Sequence, residues 1–373
     1  MHDKHPYDQV VYLLQGGGAL GTYQAGVCEA LLESGCPPDW VVGTSIGAIN
    51  AAIIAGNKPG CRIEKLNEFW NIIAPPNPML PLMSLFPSFT DNALFQKYQN
   101  FLSAQHGVLF GQPGFFKPRC FNPWLDISST PDKLSYYDTS ELRTALEKVI
   151  DFDLINQMPV RLSLGAVNAK TGAAVRFDNS RQEIGPEHVM ASCALPPGFP
   201  AIQIDDDYYW DGGILSNTPF SVILEEKIPH KLLCFVVHLY SFPDRTPTSM
   251  MDVMSSLKDL TYASRYAEVL HHFSELHYLQ RTINGLSKTI IDNTNLKAAL
   301  KTIAKAGHPT ALNIVCFHYK TSAEDLWSSD FNFSPPVLKE HWQAGYADVQ
   351  NALKNTAWLD HAMDGVHPII NEF

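Results

Sequence analysis

The fold is decided at residues 41–50, which read V-V-G-T-S-I-G-A-I-N. An apolar run ends here at Ser45, and a helix-forming run begins. Gly43 and Gly47 flank the serine in the G-x-S-x-G pattern of a sharp strand-to-helix turn, which lifts the hydroxyl clear of the backbone. The N–H groups at the start of the next helix favour negative charge there. The pattern indicates either a nucleophile or an ordinary turn, and other motifs must distinguish the two.

A glycine loop precedes this turn. Val10–Gln15 is a continuous apolar run, which is typical of a strand buried on both faces of a parallel sheet. Gly16, Gly17 and Gly18 follow it and lead into a helix predicted over residues 23–34. Three glycines between a strand and a helix allow backbone N–H groups to converge on one concave place, which suits an oxyanion.

The same loop also satisfies a dinucleotide-binding fingerprint. Glycines at positions 16, 18 and 21 follow a strand and precede a helix, as that fingerprint requires. It further needs an acidic residue at the end of the second strand to bind the ribose. That strand ends at Ser45 instead, and Asp39 lies at its beginning. An NAD-binding oxidoreductase is therefore the less favoured alternative.

A candidate base lies in the second half of the chain. Residues 208–210 are aromatic, and Asp211 follows them immediately before Gly212 and Gly213. Burial beside aromatic side chains raises the pKa of a carboxylate and makes it a better base. The competing interpretation is an Asp-Gly turn without chemistry, and this motif alone does not exclude it.

A Ser-His-Asp triad is the rival arrangement for the same reaction class. Among the histidines that follow Asp211, in the right order for an α/β-hydrolase, are His230, His238, His271, His272 and His277. His238 lies within an apolar strand, and the others lie at a turn or in helices. The sequence therefore favours a carboxylate, rather than an imidazole, as the partner of the serine.

The three motifs, in this order, resemble the patatin-like phospholipase family. The chain reads G-G-G-A-L-G at 16–21, G-T-S-I-G at 43–47 and D-G-G-I-L-S-N-T-P at 211–219. The resemblance is close over residues 9–56 and 160–220, and the C-terminal part is similar to an extension found in some bacterial members. The chain departs from the family at Leu20, where many members carry Arg or Lys.

The resemblance implies a Ser–Asp dyad in which Ser45 is the nucleophile and Asp211 is the base that activates it. Backbone N–H groups of Gly16, Gly17 and Gly18 would form the oxyanion hole. The expected activity is hydrolysis of lipid acyl esters through an acyl-enzyme, as in a phospholipase A or lysophospholipase. This chemistry needs neither a metal nor an organic cofactor. The alternative is a non-catalytic relative that binds a lipid or a protein partner.

The composition narrows the class of protein. Of 373 residues, 45% are apolar and 17% are charged, which is typical of a folded globular chain. The net charge of −11 argues against a nucleic-acid partner. The seven cysteines form no C-x-x-C pair, so neither a disulfide framework nor a zinc site is expected. Residues 1–9 lack a signal-peptide core and no apolar run is long enough for a bilayer, which predicts a cytoplasmic protein.

The order of the segments predicts a three-layer α/β/α domain with a central, mostly parallel sheet over residues 1–240. Residues 74–135 are rich in proline and aromatic side chains, which indicates either a lid-like insertion or a surface excursion packed by its own apolar residues. A lid would suit a lipid substrate or a peripheral membrane surface. Residues 241–373 form a mainly helical extension, with helices predicted over 250–287 and 296–307. Their apolar faces suit packing on the sheet or an oligomer, and the oligomeric state stays open.

Overall fold

The computed structural model describes most of the chain. The described residues are 6–74, 93–120, 122–125, 130–218, 220, 222–223, 231–242, 246–289, 311–320, 329–354 and 369–373. The predicted helix over residues 296–307 and His230 lie outside these ranges. None of the described helices combines the length and the apolar character needed to cross a bilayer.

Eleven strands are found in the described part of the chain. They are β1 Gln9–Leu14, β2 Trp40–Gly43, β3 Lys117–Pro118, β4 Tyr137–Asp138, β5 Arg161–Asn168, β6 Ala174–Asp178, β7 Ile202–Ile204, β8 Asp207–Asp211, β9 Lys231–His238, β10 Ala311–His318 and β11 Ile369–Glu372. Nine of them form one sheet in the order β11-β10-β9-β1-β2-β5-β8-β7, with β6 also paired to β5. The remaining two, β3 and β4, form a small antiparallel pair.

The helices connect and cover these strands. They are α1 Gly21–Glu33, α2 Ile46–Ala55, α3 Arg62–Ile72, α4 Ala93–Phe110, α5 Ser140–Val149, α6 Phe152–Asn156, α7 Pro186–Ser192, α8 Met250–Thr289 and α9 Pro335–Ala352. Helix α8 begins and ends close to the helix predicted over residues 250–287. Within the predicted lid-like insertion, α4 is described and residues 75–92 lie outside the described ranges.

The central strands are parallel and buried on both faces, as their continuous apolar runs predict. The five pairings from β11 across to β5 are all parallel, and the pairings among β5, β6, β7 and β8 are antiparallel. Alternate residues of β1 belong to two separate cores, because successive side chains on a strand point to opposite faces. Tyr12 and Leu14 pack with α1, α2 and α9, whereas Val11 and Leu13 pack with Tyr266 of α8. The three-layer α/β/α prediction is therefore confirmed.

The C-terminal region is built into the domain on both sides of the sheet. Strands β10 and β11 extend the sheet beyond β9, so residue 240 does not mark an edge of the sheet. Helix α9 packs closely on α1, since a Cβ on Gly26 would lie 1.9 Å from the Trp342 carbonyl oxygen. The Trp342 indole N–H also donates to Glu29 of α1. Helix α8 covers the opposite face.

Candidate active site

Sheet register brings Ser45 and Asp211 together, although they are far apart in sequence. Strand β6 occupies one side of β5, so β2 and β8 must both pair with its other side. On that side Gly43 lies opposite Leu164, and Asp211 lies opposite Ala166. The aspartate therefore lies just beyond the end of β2, where the chain turns at Ser45. In parallel sheets, ligands bind outside this carboxyl end of the strands.

The backbone turns at Ser45 with φ 57° and ψ −128°, a left-handed conformation that non-glycine residues rarely adopt. A conformation of this kind costs ~1–3 kcal/mol and persists only where the surroundings enforce it. The flanking glycines are required by close contacts. A Cβ on Gly43 would lie 2.3 Å from the Gly47 carbonyl oxygen, and a Cβ on Gly47 would lie 2.2 Å from that of Leu14.

The end of α7 holds this strained turn in place. The Ser45 N–H donates to the Ser192 carbonyl oxygen at 3.0 Å, and the Cys193 thiol donates to the Ser45 carbonyl oxygen at 3.0 Å. The Ser192 hydroxyl in turn donates to the Gly165 carbonyl oxygen of β5 at 2.6 Å. These bonds fix the serine backbone relative to the sheet.

Asp211 is buried, with 1% of its surface exposed. This burial raises the pKa of the carboxyl group to about 7, because the charged form loses its hydration. Hydrogen bonding from the Ser45 side chain and from the Gly213 N–H, at 2.7 Å, favours the ionised form and limits the rise in pKa. A carboxyl group with this pKa exchanges protons near neutral pH, as a general base must.

The first glycine of the loop is tied down beside the serine. Asn217 makes two hydrogen bonds with Gly16: its Oδ1 accepts from the Gly16 N–H at 3.1 Å, and its Nδ2 donates to the Gly16 carbonyl oxygen at 3.0 Å. A Cβ on Gly16 would lie 2.8 Å from the Ser45 Cβ. The Gly16 N–H is therefore occupied. Asn217 was not among the predicted site residues, although it stands in the motif that begins at Asp211.

Gly17 and Gly18 line the same cavity as Ser45 and Asp211. Gly18 has φ 57°, a value that glycine adopts without strain, and it begins a short 3-10 turn into α1. No described residue accepts a hydrogen bond from the N–H of Gly17 or Gly18. Two backbone donors are thus available beside the serine.

The cavity is small, about 90 Å³, and seven of its lining residues are aromatic. The aromatic lining residues are Phe115, Phe116, Phe199, Tyr240, Tyr262, Phe331 and Phe333. Two of them come from the predicted lid-like insertion, and three come from the C-terminal extension. No local motif marks these residues. Only the aromatic-rich composition of the insertion indicated a binding wall.

The C-terminal extension closes one side of this cavity at Asp330. A Cβ on Gly18 would lie 2.2 Å from the Asp330 carbonyl oxygen, so the extension touches the glycine loop directly. The Asp330 carboxylate also pairs with Lys258 of α8 at 2.8 Å. The extension is therefore part of the site as well as of the fold.

The described histidines do not supply a third member of the site, since none of them lines this cavity. His238 is fully buried in β9, where its ring stacks on His318, and His271, His272 and His277 lie in α8. Across the described ranges, no cluster of three or more His, Cys, Asp or Glu side chains could hold a metal ion.

Two family models match this chain. The model of the patatin-like phospholipases matches residues 12–224, which is more than half of the chain. A second model, described as patatin phospholipase, matches residues 260–364. Together they cover the glycine loop, the serine turn, Asp211 and most of the C-terminal extension, whereas β9 and β11 lie outside both matches.

Curated relatives match this chain either over a short stretch or at low sequence identity. Lysophospholipase nte1 of Aspergillus terreus is 56% identical over 43 residues, which are 12% of this chain and 3% of the relative. Patatin-like phospholipase domain-containing protein 7 of Rattus norvegicus is 39% identical over 61 residues, 16% and 4% of the two chains. Lysophospholipase NTE1 of Lodderomyces elongisporus is 23% identical over 249 residues, 66% and 14%. The chain thus spans only a small part of these relatives.

Among solved structures, VipD from Legionella pneumophila aligns with 95% of this chain and 67% of its own. The sequence identity is 14% and the TM-score is 0.38. The architecture described above therefore rests on the strand order and register of this chain itself.

Proposed function

Because this chain belongs to the patatin-like phospholipase family, we propose that it hydrolyses acyl esters of lipids, as a phospholipase A or lysophospholipase. Ser45 is the nucleophile, and Asp211 is the base that activates it. One observation carries the proposal: a buried carboxyl group with a pKa of about 7 lies beside a serine on a strained strand-to-helix turn. The lysophospholipase names of two relatives agree with this reaction class.

The reaction proceeds in two halves. Ser45 Oγ attacks the ester carbonyl carbon while its proton passes to Asp211. The bond to the alcohol then breaks, and Asp211 returns the proton to the departing oxygen. Water attacks the acyl-serine in the second half, with Asp211 again accepting and returning a proton. The products are a fatty acid and the restored serine.

We assign the oxyanion hole to the N–H groups of Gly17 and Gly18. The Gly16 N–H donates to Asn217 in this structure, so Gly16 positions the loop instead of donating to the substrate. A carboxylate is a weak base for a serine hydroxyl, and the oxyanion donors must therefore supply much of the rate. Removal of one such donor in other enzymes lowers kcat by ~100–1000-fold.

The lipid-facing surface proposed for this enzyme lies on α8, next to the cavity. Tyr262 lines the cavity, and in the part of α8 that precedes it Met250, Met254 and Leu257 are 74%, 47% and 60% exposed. Exposed apolar side chains of this size, grouped beside a site, mark a contact with a lipid or protein surface. The net charge of −11 favours an uncharged lipid surface over an anionic one.

The test is hydrolysis of a panel of phospholipids and lysophospholipids by the wild-type protein, Ser45→Ala and Asp211→Asn. We expect both substitutions to lower kcat by about 1000-fold or more, because members of one catalytic unit each abolish most of the rate. Ser34→Ala is the matched control, since Ser34 lies at the end of α1 with its hydroxyl bonded to the Ala30 carbonyl oxygen. Full activity in either site variant would contradict the dyad.

A further inference from the structure

A second and much larger cavity lies next to the catalytic one. Its volume is about 820 Å³, within the ~300–1,000 Å³ range of small-molecule sites. It lies between α8 and the carboxyl ends of β9, β10 and β11, at the same edge of the sheet as Ser45. The catalytic cavity, at about 90 Å³, is well below that range. The reacting ester fits beside Ser45, but a long acyl chain needs room elsewhere.

One stacked pair of rings separates the two cavities. Tyr240 lines both of them, and Tyr262 lines the smaller one. The two rings stack with centroids 4.5 Å apart and planes at 22°. Tyr240 follows β9 in the chain and Tyr262 belongs to α8, so the partition joins the sheet to the helix that covers it. No other described residue lines both cavities.

The lining of the larger cavity suits an aliphatic chain. Its apolar members are Tyr240, Phe242, Ala263, Tyr266, Ala267, Leu270, Ile370 and Phe373. Six lining residues are polar, and the two that carry a fixed charge, Lys320 and Glu372, are of opposite sign. A mostly apolar wall without net charge favours a hydrocarbon over an anionic head group.

We propose that the larger cavity receives the acyl chain of the substrate, which enters it by displacing the stacked rings of Tyr240 and Tyr262. The inference rests on the proposed function, because it needs an acyl ester at Ser45. It assigns to the C-terminal region a part in substrate choice: α8, β10 and β11 determine how long a chain the enzyme accepts.

The experiment places a large side chain in the larger cavity and compares the hydrolysis of esters with short and long acyl chains. Ala267→Trp places an indole in its wall, and Val269→Trp is the matched control, on the same helix but outside the lining. We measure kcat/KM for p-nitrophenyl acetate and p-nitrophenyl palmitate. We expect Ala267→Trp to lower the value for palmitate by about tenfold or more, in line with the cost of lost pocket contacts, and to leave acetate within about twofold. Val269→Trp should match the wild type for both esters.

The outcomes are distinguishable. If the wild type and Ser45→Ala hydrolyse each ester at the same rate, the proposed function is wrong. If Ser45-dependent hydrolysis is present but Ala267→Trp leaves palmitate unchanged, or lowers both esters equally, the acyl-chain assignment is wrong. Ile370→Trp provides a second variant, at an exposed position of β11 in the wall of the same cavity, in case Ala267→Trp does not fold as judged by circular dichroism. The same selective loss for palmitate is expected from it.

Discussion

At the scale of single residues, the site depends on one carboxyl group kept out of water. Burial raises the pKa of Asp211 to about 7, so much of it is protonated below neutral pH. The sequence predicted this group from its position after three aromatic residues. It did not predict Asn217, because the contact with Gly16 joins positions that are 201 residues apart. A long-range amide contact of this kind carries no local signal.

The first prediction concerns pH. Asp211 acts as a base only when ionised, so kcat/KM should rise with pH through about 7 and level off above it. A pH–rate profile on a neutral short-chain ester between pH 5 and 9 measures this. A profile that is flat, or that falls across this range, would show that another group is the base.

The burial of Asp211 also predicts that the stability of the protein falls as pH rises, whereas its activity should increase. The folded protein holds the Asp211 proton up to a pKa of about 7, whereas the unfolded chain releases it near the ordinary pKa of an aspartate, 3.8. The free energy of unfolding therefore falls as pH rises through this window, by up to ~4 kcal/mol. Asp211→Asn should gain stability over the wild type at pH 8 but not at pH 4. Urea unfolding of both proteins at pH 4 and pH 8 measures this gain. An equal change in the free energy of unfolding at the two pH values would contradict the prediction.

Asn217 gives a prediction for a positioning residue. Asn217→Ala removes both hydrogen bonds to Gly16 and loosens the glycine loop that we propose holds the oxyanion. We expect kcat to fall by about 10- to 100-fold with KM little changed, because the lost interaction acts in the transition state. Ser216→Ala is the neighbouring control. A change in KM alone would place Asn217 in substrate binding instead.

At the scale of elements, the strand-to-helix turn could be predicted in detail because its requirements are local. Gly43 and Gly47 are both required because a Cβ at either position would clash with a backbone carbonyl oxygen. The pairing of β8 beyond the end of β2 could not be predicted, since it depends on which side of β5 each strand takes. That choice is made by packing of whole elements.

This turn carries its own stability prediction. Gly47→Ala places a Cβ 2.2 Å from the Leu14 carbonyl oxygen, and β1 cannot move without disturbing its two neighbours in the sheet. We expect a loss of about 3 kcal/mol or more in the free energy of unfolding, the range of severe overpacking. Gly60→Ala is the matched control, because no atom lies within 4 Å of its added Cβ. Equal stability of the two variants in urea would contradict the contact.

At the scale of the whole molecule, the C-terminal region forms part of the site. It supplies two strands of the sheet, and Tyr262, Asp330 and Phe333 line the catalytic cavity. The sequence predicted its main helix but assigned the apolar faces of that helix to packing on the sheet or to an oligomer. Aromatic residues spaced far apart in the chain give no pattern that shows which of them meet in the fold.

The exposed apolar side chains of α8 provide a test of the proposed contact with a lipid surface. Substitution of Met254 and Leu257 by Glu removes the exposed apolar surface of α8 beside the cavity. Hydrolysis of phosphatidylcholine in vesicles should fall severalfold, while hydrolysis of a water-soluble short-chain ester stays unchanged. Leu279→Glu, on the same helix and 52% exposed but remote from the cavity, is the control. Equal loss on both substrates would contradict a role in surface binding.

Covalent labelling is the decisive experiment on whether Ser45 is a nucleophile activated by Asp211. The protein is treated with a fluorophosphonate probe, and the modified peptide is identified by mass spectrometry. We expect one adduct, on Ser45, that is absent in Ser45→Ala and forms much more slowly in Asp211→Asn. An adduct on another serine, or folded wild-type protein that stays unlabelled, would contradict it.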